Sequence, residues 1–483
     1  MKATAAVQQV KPSSLYAEHV KIYPQRILGR FRVIKWGALG GLLAIYYLAP
    51  WLRWDRGLGR PDQALLIDMP GRRAYFFWIE IWPQEVYYLA GLLILGAIGL
   101  FLATALLGRV WCGFTCPQTV WTDLFMQVER WIEGDRNARL KLDKEPLSLR
   151  KIRLKATKHL LWLVIAVLTG GAWVMYFNDA PTLVNDLVHL RPSLTQLGFI
   201  SLFAATTYLL AGWAREQVCI YMCPWPRFQA AMFDEHTMLV TYEGWRGEPR
   251  GHAKKGLERL ASQGDCIDCG LCVRVCPTGV DIRAGQQMAC IGCGLCIDAC
   301  NSVMAKLDRP LELITYDSLS NSAARAAGKP ARFRFLRGRT IVYATALVAV
   351  TAGMLFVLTT RATMTVSAQG DRSPLFVRLG DGEIQNGFTV KISNKNPAAM
   401  EYRLTVDGLP DATIKVIGAD PRALRVAPDS VGTFRMLLKA PLKDLHDKTN
   451  DITIRAVTIT TGEESHHGAI FNAPHHEDEH DND

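Results

Sequence analysis

No cysteine occurs after Cys300, so the last 183 residues lack the thiol entirely. All twelve cysteines fall earlier, at 112, 116, 219, 223, 266, 269, 272, 276, 290, 293, 296 and 300. A disulfide framework would favour the region argued below to lie outside the cell, so the cysteines read as metal ligands. Basic residues interleaved with aromatics, as along a nucleic-acid groove, are also missing. That leaves no nucleic-acid partner in view despite a net charge of +10. There is no Gly-rich dinucleotide fingerprint and no flavin signature, so nothing marks an electron donor. Residues 1–32 have no apolar core, and no small-residue cleavage pattern follows Val33. The N-terminus therefore reads as retained and not as a cleavable signal.

What the chain does have is five stretches long and apolar enough to cross a bilayer, which takes about 20 residues. They run over roughly Val33–Trp51, Glu85–Leu107, His159–Phe177, Thr195–Trp213 and Thr340–Thr360. Lys and Arg alternate between the connecting segments. Residues 1–32 hold 6, 108–158 hold 11, 178–194 hold one and 214–339 hold 17. This places the N-terminus, the 108–158 loop and the 214–339 segment inside, and the C-terminus outside. The 53–83 loop breaks the pattern with five basic residues. Arg72 and Arg73 there lie among Trp, Tyr and Phe, which suits an interfacial re-entrant segment.

The cytoplasmic segment carries C-x2-C-x2-C-x3-C twice, as Cys266, Cys269, Cys272, Cys276 and as Cys290, Cys293, Cys296, Cys300. Three closely spaced thiolates wrap one corner of a cubane, and the fourth ligand comes from the other motif. Cluster one is thus expected on Cys266, Cys269, Cys272 and Cys300, and cluster two on Cys276, Cys290, Cys293 and Cys296. Eight cysteines at this repeat outweigh a pair of zinc knuckles. Pro277 follows the first motif, whereas Asn301 follows the second, which is expected to loosen a turn without removing a ligand. Two 4Fe–4S clusters make a short electron wire.

A second set reads Cys112-Gly-Phe-Thr-Cys116-Pro117 and Cys219-Ile-Tyr-Met-Cys223-Pro224, each C-x3-C-P directly after a span. The offset of 107 residues points to an internal repeat that brings four thiols toward a pseudo-twofold axis. Spacing i, i+4 puts two thiols on one helical face. Four soft sulfurs suit Cu(I), zinc or iron–sulfur chemistry. Met126 and Met222 lie near, but methionine in apolar text is more often core, so neither is assigned as a ligand.

Beyond the fifth span the text turns to short alternating strands, Leu375–Leu379, Thr389–Ser393, Glu401–Val406, Ala412–Val416, Thr433–Leu438 and Ile452–Thr460, as in a β-sandwich. Nothing there looks catalytic, and docking or scaffolding is the simplest role. The tail, His466-His467 and then His475, His476 and His480 among acids, suits loose Cu(II) or Zn(II) binding but reads better as a solvated disordered tail. The divisions are then 1–32, N-terminal cytoplasmic; 33–213, four spans with both C-x3-C-P motifs; 214–339, cytoplasmic with a ferredoxin-like core at 258–308; 340–360, the fifth span; 361–470, the β domain; and 471–483, the tail.

Trp111–Thr119, Cys219–Gln229, the doubled cluster motif and the β domain together make the chain resemble the FixG/CcoG/RdxA family, the cytochrome c oxidase accessory proteins. The resemblance implies an α-helical membrane protein with five transmembrane helices. It also implies an inserted cytoplasmic bacterial-ferredoxin-like α+β segment and a C-terminal all-β Ig-like sandwich, in the bacterial inner membrane. The implied reaction is reduction of Cu(II) to Cu(I) for assembly of a cbb-type oxidase. Cys112, Cys116, Cys219 and Cys223 would hold copper or act as a dithiol. Implied partners are a cytoplasmic electron donor, copper chaperones, oxidase assembly factors and membrane lipid. Two other functions stay open at this point: a relay passing electrons to quinone or a periplasmic reductase without copper, and a non-catalytic assembly scaffold.

Overall fold

The computed structural model describes residues 21–57, 60–251, 263–380, 382–396, 398–445 and 447–474. Residues 1–20, the 258–262 end of the expected ferredoxin core and His475, His476 and His480 lie outside them. The chain divides into two compact units, Met1–Met354 and Leu355–Asp483.

The first unit opens with helix α1 (Arg30–Leu48), a meander of β1 (Leu65–Asp68), β2 (Arg73–Phe76) and β3 (Ile79–Ile81), and helix α2 (Tyr87–Leu107). Helices α3 (Pro117–Glu133), α4 (Arg136–Lys144), α5 (Leu149–Val174), α6 (Ala180–Val188), α7 (Leu194–Thr207) and α8 (Trp225–Met232) follow. Five helical stretches are long and apolar enough to cross a membrane: Arg30–Trp51, Tyr87–Leu107, Leu149–Val174, Leu194–Ala214 and Gly338–Thr359. They match the five expected from hydropathy, with the third helix starting ten residues earlier. Its first turns are polar and pack into an ion network described below. Leu92, Leu93, Val348 and Phe356 are exposed on these helices, the kind of apolar surface a bilayer covers.

The 53–83 segment, expected to suit an interfacial re-entrant stretch, carries three short strands. It forms the antiparallel meander β1-β2-β3, in which Arg73 pairs with Glu80 at 2.8 Å and stacks on Trp82. Leu65–Asp68 and Arg73–Phe76 pair residue for residue across a turn in which Gly71 N–H bonds to the Asp68 carboxylate at 3.0 Å. The segment docks on the far end of α5, where Gln63 donates to the Met175 carbonyl and Ile67 N–H to that of Tyr176.

Next come β4 (Leu239–Tyr242), the single turn α9 (Gly244–Gly247), α10 (Leu271–Val275), α11 (Leu295–Lys306), β5 (Ile314–Asp317), α12 (Leu319–Ala326) and α13 (Gly338–Thr359). Strands β4 and β5 pair antiparallel and bracket both cysteine motifs, so the ferredoxin-like core reaches beyond the expected 258–308 on both sides. The two motifs share one backbone shape. Asp268 and Gly292 take φ of 52° and 71°, and Gly270 and Gly294 take 64° and 71°. Glycine is at ease in that left-handed region, and aspartate tolerates it. Asn301 does not loosen a turn as expected. Helix α11 runs on through it to Lys306, which a proline there would prevent.

The second unit is a β-sandwich of β6 (Met364–Gly370), β7 (Val377–Arg378), β8 (Glu383–Asn394), β9 (Met400–Asp407), β10 (Thr413–Val416), β11 (Leu424–Val426), β12 (Ser430–Pro441), β13 (Thr449–Thr458) and β14 (Glu464–Asn472). One sheet is ordered β10-β12-β8-β6 with β7 also on β8, and the other β11-β9-β13-β14. Alternate residues of β8 point inward, and Phe388 faces Met436 across the register. Phe388, Tyr402, Leu404, Met436, Ile454 and Phe471 fill the core. His466 and His467 belong to β14, opposite Arg455 and Ile454, and not to a tail.

Candidate functional site

Each cysteine motif wraps a cavity and lends its last thiol to the other. One cavity is lined by Cys266, Cys269, Cys272 and Cys300 beneath Tyr242 and Leu313. The other is lined by Cys276, Cys290, Cys293 and Cys296 beneath Val240 and Ile282. The exchange follows from the helix: Cys296 and Cys300 share one face of α11 but stand about 6 Å apart along its axis, and each lines a different cavity. Among the described residues, no three His, Cys, Asp or Glu side chains close in as ligands of a single ion. Four thiols spread around a cavity instead suit a polynuclear cluster, and the residues fit a 4Fe–4S group at each place. Burial pushes the Cys272 thiol up to about 11 and those of Cys293 and Cys300 up to about 12. Such thiols keep their protons until a metal displaces them. Cys269 is the exposed member of the first set.

The two C-x3-C-P motifs adopt a turn that simple helical spacing does not anticipate. Cys116 N–H bonds to Trp111 O and Cys223 N–H to Val218 O, both 2.8 Å and both spanning five residues. These are single π turns, wider than an α turn and frequent at functional sites. The second cysteine of each motif ends the turn, and Pro117 then opens α3. The repeat extends upstream at the same offset. Gly108 has φ 57° and ψ −120°, and Arg215 has 44° and −114°. Each span therefore breaks sharply, then the chain makes the wide turn. Arg215 adopts this backbone without glycine's freedom, at a cost of roughly 1–3 kcal/mol. Its ion pair with Glu129 at 3.1 Å and its stacking on Trp162 hold it there.

Cys112 and Cys219 share one hydrophobic cluster, and Cys116 and Cys223 lie within electrostatic reach of Cys112. The four thiols do not close into a ready-made single-ion site. Burial first, and then neighbouring thiols, push Cys112 and Cys219 up to about 12. Cys112 also lies 3.4 Å from the Gln229 side-chain oxygen, to which its thiol donates.

Two of these thiols lie against residues that also line the second cavity. Cys112 and Cys219 pack against the apolar cluster that contains Ile291, Cys293 and Leu295. Gly113 makes the approach possible. A Cβ on it would meet Gly292 O at 3.0 Å and Cys293 Cα at 3.1 Å. Arg109, 5% exposed, bonds the carbonyls of Gln287, Met288 and Cys290. Helix α1 is anchored on α11 as well. The Asp298 carboxylate accepts from the backbone N–H groups of Phe31 at 3.1 Å and Arg32 at 2.8 Å, an anion at a helix start. Arg109, Gln229 and Asp298 escaped the sequence reading, because their partners lie more than 100 residues away and leave no local spacing.

Two thiol-lined cavities joined to a helical region with more thiols define an iron–sulfur electron-transfer protein. A family model for a 4Fe-4S dicluster domain matches residues 214–319, one for a 4Fe-4S binding domain matches 89–137, and one for the Ig-like fold at the C-terminus of FixG matches 354–474. Protein RdxB of Cereibacter sphaeroides is 46% identical over 95% of this chain and 98% of its own length. Nitrogen fixation protein FixG of Rhizobium meliloti is 46% identical over 95% and 94%, and Protein RdxA of Cereibacter sphaeroides 48% over 88% and 91%. The crystal structure of a FixG-related protein from Vibrio parahaemolyticus matches 24% of this chain and 99% of its own, at 24% identity and a TM-score of 0.22. The chain belongs to the FixG/RdxA family.

Proposed function

We propose that the protein is a bacterial inner-membrane cupric reductase serving assembly of a cbb-type oxidase. Its N-terminus and ferredoxin-like segment face the cytoplasm, and its Ig-like domain lies outside. Cys266, Cys269, Cys272 and Cys300 would hold one 4Fe–4S group, called cluster one, and Cys276, Cys290, Cys293 and Cys296 would hold the other, cluster two. When bound, the two 4Fe–4S groups supply one-electron carriers. The chain does the rest. Cys269 presents the exposed edge where a cytoplasmic donor docks. The interlocked motifs keep the two cavities adjacent. Cys112, Cys116, Cys219 and Cys223 receive substrate Cu(II), whose reduction thiolates favour because they prefer Cu(I). Alternatively, two of the thiols release two electrons and two protons as they close into a disulfide, reducing two Cu(II) to Cu(I), and two electrons from the cytoplasmic donor with two protons restore the dithiol. Copper chaperones and oxidase assembly factors take the product.

The observation carrying this reading is the packing of Cys112 and Cys219 on the apolar cluster around Cys293. Replacing all four membrane-face cysteines with serine should abolish Cu(II) reduction by the purified, dithionite-reduced protein while cluster absorbance persists. Undiminished reduction would remove the copper site. A second reading, an iron–sulfur centre on the same four thiols, draws on the 4Fe-4S binding model at 89–137. It expects the serine variant to lose iron, where the copper reading expects full iron.

A further inference from the structure

Arg109 is the side chain that fastens the first membrane-face motif to the cluster-two loop. It is buried, and it stands three residues before Cys112. Its Nη1 donates to the carbonyls of Met288 and Cys290, with Gln287 O at 3.5 Å, and its Nη2 donates to Pro226 O at 3.2 Å. The Cys290 contact spans 181 residues of chain. Arg109 also lies against the loop's glycine, since a Cβ on Gly292 would meet Arg109 Cβ at 3.0 Å. Among the described residues, its acceptors are all neutral carbonyls, so its positive charge is not cancelled by a bonded carboxylate.

The internal repeat does not require this cation. The equivalent position 107 residues on is Glu216, of opposite sign, three residues before Cys219. An uncancelled buried cation favours added negative charge nearby, strongly so in a low-dielectric interior. Potentials of iron–sulfur groups follow local charge and hydrogen bonding in the same way. A planar fork with several donors also fixes a loop more firmly than a point charge does.

We infer that Arg109 is a positioning residue with two effects: it clamps residues 287–290 against the first C-x3-C-P motif, and it raises the potential of cluster two above that of cluster one. Electrons entering at the Cys269 end are thereby drawn toward the membrane-face thiols. The inference rests on the cluster-two ligand set proposed above and not on copper.

The test is a potentiometric titration followed by EPR on full-length protein purified anaerobically, with cluster signals assigned through Cys269→Ser. Arg109→Met should shift the cluster-two midpoint to more negative potential and leave cluster one in place. Arg109→Lys keeps the charge and loses the fork. It should hold the cluster-two midpoint near that of the unaltered protein, while amide exchange at 287–290 accelerates about tenfold, the loss of one hydrogen bond's worth of protection. An unmoved cluster-two midpoint in Arg109→Met, or equal movement of both clusters, overturns the proposal. Should Arg109→Met fail to load iron, Arg109→Lys decides alone, and unchanged exchange at 287–290 overturns it. Copper reduction is not a readout, so failure of the copper reading leaves this outcome intact.

Discussion

At the scale of single residues, Gly113 carries more than its size suggests. It is the point where the backbone of a membrane-face motif touches the backbone of a cluster-two loop. Neither partner atom is the end of a flexible side chain, so an added Cβ must push one segment away. Under the proposed copper reaction, Gly113→Val should slow electron delivery to Cu(II) several-fold in stopped flow, with cluster absorbance and iron content unchanged. Equal rates would show that the contact is incidental. The eight cluster cysteines were legible in sequence because a cubane's corner sets their spacing within one short stretch. Gly113 was not, because what it approaches lies near residue 292. The same holds for Arg109. Asn301 departs from expectation for a different reason: the absence of proline does not loosen a turn but lets α11 continue.

At the scale of elements, α3 is the beam that joins the two halves of the repeat. Glu129 on it pairs with Arg139 of α4 at 2.8 Å, Lys158 of α5 at 3.5 Å and Arg215 after the fourth span at 3.1 Å. Glu133 pairs with Lys158 at 2.9 Å and Lys155 at 3.0 Å. Removing one partner from a buried network leaves charge uncompensated, which costs about 3 kcal/mol or more. Glu129→Gln should destabilise the helical unit by about that much, read from thermal unfolding in detergent. The effect should depend on pH with a definite sign. Burial raises the Glu129 carboxyl, but Arg215 and Arg139 outweigh it and hold it down to about 2. Its stabilisation is therefore full above the ordinary carboxylate value near 4.5 and fades as pH falls toward 2. The gap between the unaltered protein and Glu129→Gln should shrink over that window, and a gap independent of pH would assign the effect to packing. The apolar lengths of the spans were readable from composition. The π turns that end two of them were not, because a five-residue hydrogen bond leaves no periodic mark on the sequence.

At the scale of the whole molecule, the chain is two units with separate cores. The sandwich core, from Met364 to Ala473, is built from residues of this unit alone, with Leu409, Leu445 and Ala473 joining it from outside the strands. Residues 361–474 produced alone should fold cooperatively to an all-β domain by circular dichroism, and a non-cooperative melt would show that the domain needs the rest of the chain. Its central strands β8, β9, β12 and β13 were visible as alternation. Strands β6, β11 and β14 were missed for physical reasons: β11 has only three residues, and β6 and β14 are polar edge strands.

The reach of Arg109 also has a meaning in time. Its acceptors at residues 287–290 are made 181 residues after it at the farthest. At ribosomal speeds of 5–20 residues per second, that interval is roughly 10–40 s. Throughout it, the Cys112 pair and a cation destined for burial have emerged without the loop that covers them. A chain in that interval exposes two thiols of the first C-x3-C-P motif before the loop that will pack on them has been made.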